Sequence, residues 1–183
     1  MAVGFSNAPN NSTHYYLYNT VPLSALGCTF AAWIYPTDST DNDFNILQVQ
    51  DSAATGHYIR FSLSEVAGAG VKGAVQIGIN NVSGGAFTTS IAWSTASVTY
   101  NKWHHAAGTI TDNANRAAFL DGGNKGTRNT SPYEPTWAQL NTTSIGSERD
   151  ATPDDGWAGR LAHVAIWNVV LSDAEIALLA KGY

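Results

Sequence analysis

Two adjacent histidines, His104 and His105, sit in the run KWHHAAGTI. Imidazoles bind metals and move protons near neutral pH, so the pair is the first place to look for chemistry. Its spacing decides against it. Neighbours on a strand point to opposite faces, so His104 and His105 cannot hold one ion together. A zinc pair needs i and i+2 on a strand, or i and i+4 on a helix. The other histidines, His14, His57 and His163, are isolated. The expectation is structural: His105 half-buried with its ring hydrogen-bonded, and His104 facing outward.

Other catalytic constellations are missing too. Glycoside hydrolysis needs two carboxylates flanking one bond. Asp41 and Asp43 have i, i+2 spacing but lie in the loop-like DSTDND, and Asp173 and Glu175 share that spacing only at a helix start. Cys28 falls just before an apolar run and reads as a small buried hydrophobe. No G-x-S-x-G elbow occurs, and the glycines form no phosphate loop between a strand and a helix. The chain is expected not to be an enzyme.

Two acidic groups remain, Asp38, Asp41 and Asp43, and Asp150, Asp154 and Asp155. Calcium takes roughly six to eight oxygens, often from such loops. The other reading is solvated turns, and no metal or cofactor is assigned. Trp93, Tyr133, Trp137 and Trp157 lie outside the predicted core runs. Aromatic faces there suit stacking on a sugar ring or contact with a protein partner. Packing at the ends of the fold is the third reading.

The segments that would position these groups are short and alternate with period two. CTFAAWIYP carries apolar side chains on both faces and stops at Pro36. HYIRFSLS sets Ile59, Phe61 and Leu63 against Tyr58, Arg60 and Ser62, and GAVQIGIN sets Val75, Ile77 and Ile79 against Ala74, Gln76, Gly78 and Asn80. FNILQVQD follows CTFAAWIYP, and RAAFL ends at Asp121-Gly122, which predicts a tight hairpin. Strand signals about every ten residues predict an all-β sandwich. One helix is expected at the end. Ser172 is its N-cap, Glu175 completes a capping box, Ile176 and Leu179 form its apolar stripe, and Gly182 closes it.

The 183 residues suit a single domain, 1–183. One cysteine excludes an intrachain disulfide. A net charge of −5 with unclustered Lys and Arg argues against nucleic-acid binding. No apolar run approaches the roughly 20 residues that cross a bilayer, and the N-terminal segment lacks the features of a signal peptide.

Several segments together resemble the laminin-G-like, concanavalin A-type jelly rolls. NKWHHAAGTI with NRAAFLDGG is similar to that family's W-H-H…D-G strand pair. LGCTFAAWIYP is similar to its early strand, SIGS to its I-G-x element, and GWAGRLAHVAIWNVVLSDAEIALL to its closing strand and helix. The resemblance spans about residues 14 to 183. It implies a two-sheet antiparallel jelly-roll sandwich with one short C-terminal helix. Trp33, Trp103 and Trp167 would be packing residues. In the closing strand, Val164 and Ile166 would face one way and Leu161, His163, Ala165 and Trp167 the other. Ala162 and His163 stand where relatives often have Asp and Glu, so a calcium site of their type is not expected. The family's glucanases alternate two or three acids along one strand, a run this chain lacks. Members in phage and environmental viral genomes imply a virion surface protein, either capsid decoration or a tail or fibre component, assembled in the host cytoplasm. Its partners would be a capsid or tail protein, further copies of itself and host glycans. The alternative is a free carbohydrate-binding module, and a hydrolase is the remote one.

Overall fold

A computed structural model of the protein describes residues 2–6, 15–37, 44–53, 56–64, 72–83, 86–129, 134–148 and 155–182. Its strands are β1 (Ala2–Ser6), β2 (Tyr16–Tyr18), β3 (Cys28–Pro36), β4 (Phe44–Gln50), β5 (Tyr58–Leu63), β6 (Ala74–Ser83), β7 (Ala86–Ser97), β8 (His104–Ile110), β9 (Asn115–Leu120), β10 (Gly123–Asn129), β11 (Thr142–Ile145) and β12 (Ala158–Trp167). They form two six-stranded antiparallel sheets, ordered β1-β12-β3-β8-β9-β10 and β2-β11-β4-β5-β6-β7. One helix follows, α1 (Asp173–Leu179). This is the jelly-roll sandwich expected from the sequence. β1 and β2 are additions that no alternating run announced.

The period-two runs zip the sheets together. Phe30 and Ile34 of β3, and Ile110 of β8, meet Ile59, Phe61 and Leu63 of β5 and Val75, Ile77 and Ile79 of β6 in one core. The Phe30 and Phe61 rings stand 6.2 Å apart. Two glycines set how closely the layers approach. A Cβ on Gly108 would lie 2.7 Å from Ile77 Cβ of the facing sheet, and one on Gly126 would lie 1.7 Å from the Trp93 carbonyl oxygen. Gly126 thus lets β10 close against β7 where the two sheets meet at one side. The β9–β10 hairpin turns through Asp121 (φ 55°) and Gly122 (φ 72°), the double positive φ of a type I′ turn.

The outer face of the first sheet is apolar where α1 lies on it. Ala31, Ala107 and Ala117 make a small-residue bed, with Phe119 beside it, for Ile176, Leu179 and Trp167. Ser172 and Glu175 form the expected capping box. Seven residues hold as a helix only through this docking.

Two expectations are corrected. A bulge in β12 between Ala162 and Ala165, with His163 at φ 51°, inserts a residue into the alternation. Leu161 therefore joins Val164 and Ile166 on the core side, while Ala165 and Trp167 face outward. Nor do Trp33, Trp103 and Trp167 pack between the sheets. Trp33 and Trp167 are half-buried on the outer face, and Trp103 is 39% exposed with its ring edge against Tyr35.

Gly108→Ala and Gly126→Ala should each destabilise the fold by about 1–3 kcal/mol or more, because the added methyl meets a side-chain branch point or a backbone carbonyl. Gly4→Ala, where a Cβ meets nothing within 4 Å, should stay within about 0.5 kcal/mol. Urea denaturation of the three variants checks the ranking.

Candidate functional site

Sending Ile59, Phe61 and Leu63 into the core turns Tyr58, Arg60 and Ser62 onto the outer face of the second sheet. The same alternation puts Gln76 and Asn80 of β6 beside them. Register then builds rows of hydrogen-bonding side chains across the sheet. Asn45, Ser62, Gln76 and Trp93 form one row, and Ser144, Gln48 and Arg60 another. Within the first, Gln76 Nε2 donates to Ser62 Oγ (2.7 Å) and the Trp93 indole N–H donates to Gln76 Oε1 (3.1 Å).

Arg60 is the centre of this face. Its Nε donates to Gln48 Oε1 (3.3 Å), and its guanidinium lies 4.8 Å from the Tyr58 ring centre. Its Nη2 pairs with Glu148 and with Asp155 (3.2 Å). All three charged side chains are at most 19% exposed. One guanidinium of β5 thus orients two carboxylates from the connection between β11 and β12. Buried groups beside it keep unused capacity: among the described residues, neither Asn45 Nδ2 nor Oδ1 has a hydrogen-bond partner, and neither does Gln48 Nε2. A sealed polar atom without a partner costs roughly 1–3 kcal/mol.

The sequence-predicted aromatics do not gather in one place. Trp93 is half-buried on this face. Trp137 lies in a short 3-10 turn, Trp137–Gln139, with its indole N–H donating to Glu134 Oε1 (3.2 Å). That turn adjoins Asn81, five residues along β6 from Gln76 and so about 16 Å away. Trp157 is corrected outright. It is fully buried, its ring edge-on to Phe44 at 6.2 Å, and it offers no surface to a ligand. Tyr133 lies outside the described residues, as do Asp38, Asp41, Asp43, Asp150 and Asp154. Asp155 is described, and Arg60 engages it. Among the described residues no group of three or more His, Cys, Asp or Glu side chains gathers as a metal site. Glu148 has Asp150 two positions on, yet the acid it meets at Arg60 is Asp155. Sequence spacing gave no sign of that meeting, because Arg60, distant in sequence on β5, makes it.

The double histidine resolves differently from expectation. The His104 ring carries the hydrogen bonds: its Nδ1 lies 2.8 Å from Asp121 Oδ2, and Thr99 N donates to its Nε2 (3.0 Å). His105 is 3% exposed, and its Nδ1 has no partner. Its ring stands edge-on to Trp33 at 5.5 Å. Asp121 ties the pair down, since Oδ1 also accepts from His105 N (2.9 Å) and Asp121 N donates to His105 O (2.7 Å). The W-H-H…D-G pattern is thus a clamp between β8 and the hairpin turn.

Two apposed antiparallel sheets with a helix-capped outer face define a jelly roll of lectin-like architecture. Residues 9–177 match the family profile described as the concanavalin A-like lectin/glucanases superfamily, a laminin G group, and the chain belongs to that family. Among solved structures it is similar to a native heptameric SAP-like pentraxin from Limulus polyphemus, at 14% identity and TM-score 0.72, over 98% of this chain and 81% of that one. It is also similar to the CBM40 of a Ruminococcus gnavus IT-sialidase bound to α2,3-sialyllactose, at 16% identity and TM-score 0.67, over 98% of both chains. A leech intramolecular trans-sialidase matches at 12% identity and TM-score 0.71, over all of this chain and 28% of that one. No curated protein sequence matches. Identities this low establish a shared fold. No helix among the described residues is long and apolar enough to cross a membrane.

Burial lowers the His105 imidazole from 6.5 to about 4, with the Asp121 charge pulling partly the other way. The unfolded chain therefore takes up a proton near pH 6.5 that the folded chain refuses until about pH 4. This contribution is complete above pH 6.5 and drains as the pH falls toward 4, by on the order of 3 kcal/mol. Denaturation at pH 7.5 and 4.5 should show the loss in the wild type, with His105→Phe lacking that share of it.

Proposed function

We propose that the protein is a non-catalytic carbohydrate-binding module that takes a neutral glycan on the outer face of its second sheet. The observation that carries this reading is a row of hydrogen-bonding side chains on that face in which the half-buried Trp93 indole donates to Gln76, beside the partly exposed Tyr58 and Arg60. A sugar hydroxyl both donates and accepts, so it suits amides of either polarity. Trp93 adds an aromatic surface in the same row. The Ruminococcus gnavus module, crystallised with a sialylated sugar, supports binding on this fold. The electrostatics here favour a neutral sugar instead, because Glu148 and Asp155 already match the Arg60 charge and leave the cluster with an excess carboxylate.

The attachment to a capsid or tail protein, and the virion location, rest on the resemblance and composition alone. Glycan binding has the polar face and a sugar-bound structural relative in addition. Self-association is a further proposal. The Limulus relative is heptameric, and edge strand β2 exposes Tyr16, Leu17 and Tyr18.

A glycan array followed by calorimetry tests the reading. Neutral oligosaccharides should bind and sialylated ones should bind less. Trp93→Ala and Tyr58→Ala should each weaken binding about tenfold, the worth of one good contact, with the circular dichroism spectrum unchanged. A silent array, or equal binding by both variants, contradicts it.

A further inference from the structure

On the opposite side of the molecule, beside α1, a cleft of about 340 Å³ opens on the outer face of the first sheet. The proposed glycan face plays no part in it. Its floor is two alanines paired across strands, Ala31 of β3 and Ala165 of β12. Trp33 and Trp167 stand at either end of that floor. Trp167 pairs with Thr29, four residues along β3 from Trp33, so the two positions are about 13 Å apart along the sheet. Leu179 closes one side, and a Cβ on Gly182 would stand 3.8 Å from Trp33 Cζ2. The β12 bulge creates the space, because it turns His163 toward the cleft in the left-handed conformation.

Besides the two indoles, the polar side chains lining the cleft are His163 and the buried His105. Among the described residues Nδ1 of His105 has no partner and its ring makes no hydrogen bond. Such a ring lacks one hydrogen-bonding group and has an apolar, aromatic slot beside it. Among the described residues no Lys, Arg, Asp or Glu lines the slot, so nothing there calls for a charged ligand. A pyranose suits it less, since its several hydroxyls need donors and acceptors together, and beyond two indole N–H donors only two imidazoles are offered. A volume of this size, mostly apolar with few polar groups, suits a small organic ligand.

We propose that this cleft is a second binding site, for a small neutral aromatic molecule with one hydroxyl or ring N–H, of phenol or indole type. The ring lies over Ala31 and Ala165 between the indoles, and its polar group meets His105.

Titration of the full chain with p-cresol and with indole tests this, read by the tryptophan indole N–H signals in NMR. The expected result is saturable binding with a dissociation constant on the order of 0.1–1 mM, the range open to so few atoms. The signals of Trp33 and Trp167 should shift while those of Trp93 and Trp137 stay. Ala165→Leu, which fills the slot, should weaken binding at least tenfold, and His105→Phe, which keeps the ring but removes its nitrogens, should weaken it severalfold. Tyr58→Ala should leave it unchanged, which separates this site from the glycan face. Should Ala165→Leu fail to fold, His105→Phe and the shift map decide. Unsaturable binding, shifts confined to other tryptophans, undiminished binding in the variants that fold, or competition by methyl pyranosides would each overturn the proposal.

Discussion

The two sheets meet at bare glycine backbone, Gly108 against Ile77 in the core and Gly126 against the Trp93 carbonyl at one side, and the rest of the molecule follows from keeping those layers together. Burying Ile59, Phe61 and Leu63 with Val75, Ile77 and Ile79 leaves their alternate neighbours no choice of direction. Arg60, Ser62 and Gln76 face outward because the residues beside them face inward. Core packing therefore sets the position of the polar face before any ligand does.

The two outer faces then diverge in chemistry. On the first sheet the outward residues are small or aromatic, and α1 must cover part of them. Its short length and capping box are what such a docked lid needs. On the second sheet the outward residues are amides, hydroxyls and one guanidinium held between two carboxylates. A buried charge cluster of this kind adds little net stability, since desolvation offsets attraction. Its value lies in orientation. Arg60 fixes Gln48, Glu148 and Asp155 in one arrangement.

Much of the scaffold was legible in the residues. Period-two alternation located β3 to β6, Asp121-Gly122 gave the hairpin, and Ser172 with Glu175 gave the helix start. Two kinds of fact were hidden. A single inserted residue at His163 swapped the faces of half a strand, and a bulge leaves no mark in a hydrophobic pattern that is apolar on both sides. Contacts across sequence were hidden as well. Glu148 reaches Arg60 from 88 positions away, and Trp157 is buried against Phe44 although its flanking residues read as loop. His105 shows the same limit. Its strand and direction were clear, but its depth depends on Trp33 in the neighbouring strand, which spacing along one segment does not reveal.

The central claim is that the polar face around Arg60, and not the helix-covered one, meets the sugar. Indole N–H NMR during titration with a neutral oligosaccharide tests it most directly, because Trp93 is the half-buried indole of that face. The account predicts that the Trp93 signal moves and saturates with ligand. A still Trp93 signal, with movement confined to residues of the first sheet, would contradict it.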